Sequence, residues 1–240
     1  MKKFALVCGA SGEIGTAICK ELASQGWSLY MHYNKTSIHE LSSKLAAEFI
    51  EQEFIPVQAD FTSKKAATHL ASQLFSLQAV IFANGQSFYG LLEDTSEEQM
   101  QALWQVHMQT PMLLLQQVAS KLRSHQISYC LFISSIWGSA GAAGEAVYSA
   151  VKGAQHSFIK AYAQEVAFNG IRVNAIAPGF IDTSMNSHLV EEERQLIMDS
   201  IPLHQLGTVD DVAKMCAFYL SGQADYVTGQ IIHLNGGWYI

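Results

Sequence analysis

Short apolar segments alternate with amphipathic stretches along the chain, and this alternation limits the possible fold more than any other feature. The first segment, FALVC (4–8), precedes residues 14–25, where Ile14, Ile18 and Leu22 share one helical face. Continued along the chain, the pattern predicts strands at 28–32, 54–58, 79–83, 129–134, 172–177 and 230–234, and helices at 39–53, 64–75, 97–122, 146–168 and 209–221. Strands separated by helices pair in parallel. We therefore predict an α/β, doubly wound parallel sheet with helices on both faces.

Two segments depart from the regular pattern. Pro56 lies inside the third predicted strand and cannot donate a backbone hydrogen bond, which places that strand at an edge of the sheet. Residues 180–205 are polar, look mobile and contain no clear element.

Composition limits the class of protein. The 240 residues are 49% hydrophobic and 15% charged, which predicts one globular domain over 1–240. The net charge of -7 argues against a nucleic-acid partner, and no segment is apolar for long enough to span a membrane. Glycines interrupt the first apolar run too early for a signal peptide, and the four cysteines have neither paired nor zinc-ligand spacing. We expect a cytoplasmic protein with free, buried thiols and no metal.

Three glycines lie between the first predicted strand and the first helix, at Gly9, Gly12 and Gly15. A turn of this kind brings unpaired backbone N–H groups and the positive end of the helix dipole towards a pyrophosphate. The alternative is a glycine-rich turn that binds nothing. Because strand, glycines and helix occur together at the chain start, we predict a dinucleotide-binding loop.

The end of the second predicted strand bears on the choice of cofactor. An acidic residue there bonds the ribose hydroxyls of NAD. The sequence reads MHYNKT, with Asn34 and Lys35 and no acid, so a 2′-phosphate is tolerated and can pair with Lys35. This predicts NADPH rather than NADH, although Lys35 is equally consistent with an ordinary exposed loop lysine.

The segment 134–152 carries the candidate reaction centre. Tyr148 and Lys152 are four residues apart, on one helical face, and Ser135 lies at the end of the preceding strand. A lysine ammonium stabilises a phenolate and so lowers the pKa of a tyrosine towards a useful range, while a serine hydroxyl can hold a substrate oxygen. The three residues predict carbonyl reduction, although a Tyr-x-x-x-Lys pair alone is often a surface helix pair.

These motifs identify the chain as similar to the short-chain dehydrogenase/reductase family over nearly its whole length. The segments that carry the resemblance are GASGEIG, Asp60, Ser135, YSAVK, RVNAIAPGFIDTSM and YVTGQIIHLNGGW. The resemblance implies a Rossmann-type sheet in the order 3-2-1-4-5-6-7, a homotetramer and a Ser–Tyr–Lys centre. Together, the loop and the resemblance predict these cofactor-binding residues: Gly9, Ser11, Gly12, Ile14, Gly15, Asn34, Lys35, Asp60, Phe61, Ala83, Asn84, Gly85, Tyr148, Lys152, Pro178, Gly179, Ile181 and Thr183.

Three positions depart from the family pattern. Glu13 replaces a glycine and follows Gly12, where an arginine is common, and we predict that its side chain points to solvent. The segment FANG (82–85) keeps only the last glycine of the family's motif. His107 replaces the catalytic asparagine, a position whose backbone carbonyl holds a water linked to the catalytic lysine. In a regular helix the carbonyl of His107 would accept from the N–H of residue 111, but Pro111 has no N–H. We therefore predict that this carbonyl stays free for the water. The alternative is that Pro111 merely kinks the helix.

The sequence indicates the substrate less clearly than it indicates the type of reaction. The resemblance to reductases of acyl carrier protein implies two arginines near the site mouth, but those positions are Gln126 and Asn169. Glu145 lies one helical turn before Tyr148, where it can face a cationic substrate end or simply stabilise the helix start. Trp137 is predicted as a further substrate residue, and the methionines at 185 and 198 can wall the pocket or pack a lid.

Three functions remain open. The chain resembles most a Bacillus-type subgroup in the segments VHMQTP, SSIWG and KGAQHSF. That subgroup reduces the 5-aminopentanone group on a lysine of elongation factor P, and this group is a ketone that also carries an amine. The first alternative is a 3-oxoacyl-[acyl-carrier-protein] reductase acting on a carrier-bound acyl group. The second alternative, a catalytically silent NADP-binding regulator, is at odds with the intact Ser135, Tyr148 and Lys152.

Overall fold

One parallel sheet forms the centre of the molecule. A computed structural model of the chain describes residues 2–184 and 189–239. The strands are β1 (Lys3–Cys8), β2 (Trp27–Tyr33), β3 (Phe54–Gln58), β4 (Ala79–Phe82), β5 (Ser128–Ile133), β6 (Ile171–Pro178) and β7 (Ile231–Leu234). They lie in the order β3-β2-β1-β4-β5-β6-β7, with all neighbouring pairs parallel. This confirms the predicted sheet, including the edge position of the Pro56 strand.

Helices connect the strands on both faces. They are α1 (Glu13–Ser24), α2 (His39–Glu48), α3 (Ala66–Ala71), α4 (Glu97–Trp104), α5 (Thr110–Leu122), α6 (Trp137–Ala140), α7 (Ala146–Val166), α8 (Glu191–Ser200) and α9 (Val209–Leu220). The predicted helix at 97–122 is divided, because a π-helical turn at Gln105–Gln109 separates α4 from α5. The segment 180–205, where no element was predicted, contains α8. None of the helices in the described residues is long and apolar enough to cross a bilayer.

The sheet is buried on both faces because the side chains of each strand alternate between two cores. In β1, Ala5 and Val7 pack with α1 and α9, through residues such as Ile18 and Cys216. Phe4, Leu6 and Cys8 of the same strand face the second core, which includes Leu70 of α3, Leu114 of α5 and Ile159 of α7. All four cysteines are buried and unpaired, as predicted. The uninterrupted apolar run of β1 thus reflects a central strand with no exposed face.

The order in which strands are added to the sheet reverses between β1 and β4, which are neighbours at the middle of the sheet. Loops leaving adjacent strands at such a point run in opposite directions and leave a crevice at the carboxyl edge. The loops after β1, β4, β5 and β6 all reach this edge. It is here that the predicted site residues gather.

Candidate active site

The glycine turn after β1 is tightly packed against its neighbours. Gly9 has φ +79°, and a Cβ added there would lie 2.7 Å from the backbone of Asn84. A Cβ on Gly15 would lie 2.1 Å from the carbonyl oxygen of Gly9. Gly12 is less constrained, since its Cβ would meet that oxygen at an ordinary 3.5 Å. The first and third glycines are therefore required by the backbone path, whereas the second leaves room beside the crevice.

His32, which the sequence did not single out, holds this turn in place. Its Nδ1 accepts a 3.0 Å hydrogen bond from the Gly9 N–H, and its Nε2–H donates to the Ala59 carbonyl at 3.0 Å. Its ring stacks on Phe61, with centroids 4.4 Å apart. Burial lowers the pKa of His32 to about 4, so the ring is neutral and its tautomer is fixed by the two bonds. One imidazole thus joins the ends of β1, β2 and β3.

A cavity of about 410 Å³ extends along the glycine turn at the carboxyl edge. Its lining includes the predicted cofactor residues Gly9, Ser11, Gly12, Ile14, Gly15, Asn34, Asp60, Phe61, Ala83, Asn84, Gly85 and Thr183. It also includes residues that the sequence did not indicate, namely His32, Thr36, Thr62, Gln86, Val106 and Ser184. A cavity at the start of α1, beside a turn in which Gly9 and Gly15 leave no room for a Cβ, suits the pyrophosphate of a dinucleotide.

Lys35, unlike its neighbour Asn34, does not line this cavity. Its side chain is exposed. Hydrogen bonds from Thr62 lower the pKa of Asp60, and the Lys35 ammonium adds to that effect. Asn34 lies beside Asp60, with 3.5 Å between Nδ2 and Oδ1. Lys35 is thus close to the Asp60 end of the cavity without forming its wall.

Glu13 is exposed, as predicted, but its carboxylate is not directed only to water. Its Oε1 accepts a 2.7 Å hydrogen bond from the backbone N–H of Ser184 and a second bond from the Ser184 hydroxyl. Glu13 and Ser184 both line the dinucleotide cavity. The prediction of an outward pose with little effect is therefore wrong in one respect, because the carboxylate joins the first turn of α1 to the loop after β6.

A second cavity, also of about 410 Å³, adjoins the first and shares Ile14 and Thr183 with it. Its lining includes the predicted residues Ser135, Trp137, Glu145, Tyr148, Pro178, Gly179 and Ile181. Residues that were not predicted complete the lining, namely Ser87, Tyr89, Ile133, Ser134, Phe180, Leu189, Ile197 and Trp238. Met198 lies on α8 outside this lining, and Met185 falls outside the described residues.

Ser135, Tyr148 and Lys152 form the reaction centre between β5 and α7. Ser135 hydrogen-bonds to Tyr148, and its Oγ accepts the Trp137 backbone N–H at 3.2 Å. The Lys152 ammonium lies 5.5 Å from the Tyr148 ring centroid and donates to the Ile133 carbonyl at 3.1 Å. A substrate carbonyl oxygen in the second cavity can therefore meet the hydroxyls of Ser135 and Tyr148 together.

Burial controls the proton affinities of this centre. It lowers the pKa of Lys152 to about 7. Burial, with the nearby Glu145 carboxylate, raises the pKa of Tyr148, and the Ser135 hydrogen bond only partly opposes this. The net shift of the Tyr148 pKa is therefore upward, whereas the sequence predicted a lowering by lysine, because desolvation of the phenolate is the largest effect. Tyr148 is held protonated, which suits the donor of a proton to a ketone oxygen.

The π-helical turn before Pro111 exposes two carbonyls, and side-chain amides occupy both. Thr110 donates its backbone N–H to Gln105, five residues back. Asn84 Nδ2 donates to the Val106 carbonyl at 2.9 Å, and Gln155 Nε2 donates to the His107 carbonyl at 2.8 Å. The helix is thus distorted just before Pro111. The prediction that the His107 carbonyl stays free is wrong, since Gln155 on α7 supplies its donor.

His107 itself packs behind Tyr148, with ring centroids 5.8 Å apart in an edge-on arrangement. Its Nε2 lies 2.9 Å from the Gln86 carbonyl. Burial, together with the charge of Lys152, lowers the pKa of His107 to about 3, so the ring is neutral. His107 therefore positions the loop after β4 and the catalytic tyrosine, and lines neither cavity.

Glu145 and three aromatic rings shape the outer part of the second cavity. Glu145 is half-buried, and desolvation raises its pKa. The Trp137 ring packs edge-on against Trp238 at 5.4 Å and Tyr239 at 5.1 Å between centroids. A buried acid beside aromatic faces is a favourable setting for an organic cation.

Gln126 and Asn169 lie elsewhere than predicted. They come just before β5 and β6, at the amino edge of the sheet, and both are exposed. Within one chain they are therefore at the opposite edge from the reaction centre. Their position near the site mouth was implied by the resemblance, and the single chain does not show it.

A cavity along a glycine turn, adjoining a second cavity lined by Ser135 and Tyr148 with Lys152 buried behind them, is the arrangement of a short-chain dehydrogenase/reductase, which is an oxidoreductase. Residues 9–239 match the model of the family described as Enoyl-(Acyl carrier protein) reductase. The chain belongs to that family.

Relatives of known name agree with this class. The chain is 39% identical to the uncharacterized oxidoreductase YmfI of Bacillus subtilis over 243 residues, 100% of each chain. It is 32% identical to the 3-oxoacyl-[acyl-carrier-protein] reductase FabG of Rickettsia typhi over 235 residues, 98% of this chain and 96% of that one. The crystal structure of a blue fluorescent protein from a metagenomic library, in complex with NADPH, superposes with a TM-score of 0.91 at 25% identity, covering 99% of this chain and 98% of that one.

Proposed function

We propose that the chain reduces a ketone to a secondary alcohol with NADPH, and that the ketone is the 5-aminopentanone group on a lysine of elongation factor P. The observation that carries the substrate choice is the half-buried Glu145 in the same cavity as Tyr148 and Ser135. A carboxylate at that depth is stabilised by a cation that enters with the substrate. An aminopentanone brings its ammonium group into the site together with the ketone.

The residues of the centre divide the chemistry between them. NADPH, when bound, supplies the hydride to the carbonyl carbon. Ser135 holds the carbonyl oxygen, and Tyr148 donates its phenolic proton to that oxygen as the alcohol forms. Lys152 lies against the Tyr148 ring and stabilises the phenolate that remains. His107, packed edge-on against Tyr148, fixes the ring in this position.

The preference for NADPH is proposed from the end of β2. Tyr33 is followed by Asn34 and Lys35, so the end of β2 itself presents no carboxylate to a 2′-phosphate. The Lys35 ammonium lies near Asp60, at the cavity end remote from Tyr148. The blue fluorescent protein that shares the fold was crystallised with NADPH.

The cofactor preference is tested by kcat/KM for NADPH and NADH in wild type and Lys35→Ala. We expect wild type to prefer NADPH and Lys35→Ala to lose about tenfold of that preference, with little change for NADH. Lys44→Ala is the matched control. It also removes one exposed lysine, but Lys44 lies on α2, where it pairs with Glu40 at 2.7 Å. Equal efficiency with both cofactors in wild type would contradict the proposal.

A second candidate, reduction of a 3-oxoacyl thioester on acyl carrier protein, is favoured by the 32% identity to FabG of Rickettsia typhi. The two candidates share the hydride and proton transfers but differ at the far end of the substrate. The pantetheine arm of a carrier protein has no ammonium group to meet Glu145. Glu145 therefore separates the candidates.

The deciding experiment follows NADPH oxidation with elongation factor P carrying 5-aminopentanone and with acetoacetyl thioesters. We expect turnover with the modified factor to exceed that with the thioesters. Glu145→Gln should raise KM for the modified factor by about tenfold and leave KM for the thioester unchanged. Glu165→Gln, an exposed position on the same helix, is the control. Turnover of the thioester alone would establish the second candidate.

We further propose that the enzyme acts as a cytoplasmic homotetramer. A small cluster of Leu103 on α4, Met108 and Val151 on α7 is surrounded by partly buried hydrophobic side chains, among them Phe88 of the loop after β4, Met112 of α5, and Val147 and Phe158 of α7. Light scattering after gel filtration should give four times the chain mass of 26.4 kDa. A monomeric mass would refute the assembly without bearing on the chemistry.

A further inference from the structure

A chain of hydrogen bonds joins the second cavity to the protein surface. Ser134, next to the catalytic Ser135, has its Oγ 2.9 Å from Nε2 of His156. The other ring nitrogen of His156, Nδ1, lies 3.3 Å from the Ser139 Oγ. That hydroxyl in turn lies 2.9 Å from Nε2 of His233, which is exposed on β7. Ser134, His156, Ser139 and His233 are hereafter called the histidine relay.

Each of the four side chains can both donate and accept a hydrogen bond. The three contacts of the relay are all satisfied when every hydrogen bond is donated in the direction from His233 to Ser134. With His233 donating from Nε2 to Ser139, the Ser139 hydroxyl donates to Nδ1 of His156. The Nε2–H of His156 then donates to Ser134. The hydroxyl proton of Ser134 is left directed away from His156. The donors thus form an unbroken series from the surface to the cavity wall.

His156 is the central and most enclosed member. A Cβ on Gly138 would lie 2.7 Å from its Cε1, so the glycine of α6 is what admits the ring. Burial lowers the pKa of His156 to about 4, and the positive charges of His233, Lys152 and Lys160 act in the same direction. A neutral imidazole passes a proton by accepting at one nitrogen and releasing from the other, without remaining charged.

The reaction supplies a reason for such a path. Each ketone reduced takes one proton from Tyr148, which must be replaced before the next turnover. Ser134, Ser135 and Tyr148 line the same cavity. The backbone carbonyl that serves a relay water in the family accepts a hydrogen bond from Gln155 here.

We propose that the histidine relay carries protons from solvent to the catalytic tyrosine. A proton binds Nδ1 of His233, and the Nε2 proton of that ring moves to Ser139. The Ser139 proton moves to Nδ1 of His156, and the Nε2 proton of His156 moves to Ser134. Ser134 releases its own proton into the cavity, where the Tyr148 phenolate accepts it. The transfer involves no redox change. Before the next proton is transferred, the two hydroxyl groups rotate and the two imidazoles return to their starting tautomers.

This inference rests on the proposed ketone reduction, and stopped-flow spectroscopy separates the two. Absorbance reports NADPH oxidation, and a pH-indicator dye in weak buffer reports proton uptake, with acetoacetyl-coenzyme A or the aminopentanone-modified factor as substrate. In wild type we expect uptake to keep pace with oxidation over successive turnovers. In His156→Gln and His233→Gln, the first turnover should be unchanged, whereas later turnovers and proton uptake should slow about tenfold or more. Added imidazole should restore the His233→Gln rate.

His69→Gln, an exposed position on α3, is the control and should behave as wild type. His233 is exposed, so His233→Gln tests the relay even where His156→Gln fails to fold. NADPH affinity should be the same in all variants, which a general loss of structure would not allow. Proton uptake in step with oxidation in His233→Gln, at the wild-type rate, would overturn the relay alone. Absence of ketone turnover in wild type would overturn the proposed function and the relay with it.

Discussion

Acid should destabilise the fold through His32, the imidazole that joins the ends of three strands. In the folded protein the ring is neutral, because Nδ1 must accept from Gly9 while Nε2–H donates to Ala59. Burial lowers the pKa of His32 from 6.5 to about 4. The unfolded chain therefore binds more protons between these pH values, and its stability relative to the fold grows as pH falls.

The size of the effect follows from the two pKa values. The difference between 6.5 and about 4, at about 1.4 kcal/mol for each tenfold change in proton affinity, amounts to about 3 kcal/mol. This stabilisation is fully present above pH 6.5 and is lost as pH falls towards 4. His32→Leu lacks the titrating group but leaves the Gly9 N–H without its acceptor, which costs about 1–3 kcal/mol at pH 7.

The assay is urea unfolding at a series of pH values from 7 to 4.5, followed by tryptophan fluorescence. We expect wild type to be more stable than His32→Leu at pH 7 and to lose this advantage as pH falls. His107 and His156 are present in both proteins, so their contributions cancel in the difference. His69→Leu, at an exposed position, should run parallel to wild type. A constant gap between wild type and His32→Leu over the whole range would refute the reasoning.

Three further predictions concern the loop and the π-helical turn. Gly15→Ala places a Cβ 2.1 Å from the Gly9 carbonyl oxygen, and it should lower the free energy of unfolding by about 1–3 kcal/mol and abolish NADPH binding. Gly12→Ala, whose Cβ has its nearest contact at 3.5 Å, should keep the fold. Thermal unfolding measures the stability of each variant, and fluorescence titration measures its NADPH binding. Glu13→Gln removes a carboxylate from the start of α1 and should tighten NADPH binding several-fold at low salt and less at high salt; equal affinities by calorimetry would contradict this. Gln155→Leu leaves the His107 carbonyl without its donor and should cost about 1–3 kcal/mol in urea unfolding, whereas the exposed Gln164→Leu should cost little.

The strands could be predicted from the sequence because their signal is local. Each is a short apolar run between polar segments, and Pro56 alone was enough to place β3 at the edge. The candidate reaction centre could also be assembled, since helical spacing fixes Tyr148 relative to Lys152. The helix α8 was missed because EEERQLIMDS is mostly polar and, in the structure, has no fully buried residue.

The remaining features depend on contacts between distant parts of the chain. His32 is 23 residues from Gly9 and 27 from Ala59, and no local pattern marks it as their joint partner. Gln155 meets the His107 carbonyl across 48 residues, which is why a free carbonyl was predicted from helix geometry alone. Glu13 was assigned to solvent for the same reason, because its partner, Ser184, is 171 residues away. Sequence periodicity indicates which face of an element is buried, but not which polar groups meet there.

The π-helical turn at Gln105–Gln109 also has a consequence for tolerance to a change in chain length. A turn closed between residues five apart contains one residue more than an α-helical turn. Deleting one residue from this turn would let α4 and α5 join as a continuous helix with little displacement of either. The fold should survive such a deletion, while one of the two carbonyls would return to the helix and release its amide partner, Asn84 or Gln155, because the other carbonyl would then face Pro111, which has no N–H. The extra residue is thus an insertion that serves the site and not the sheet.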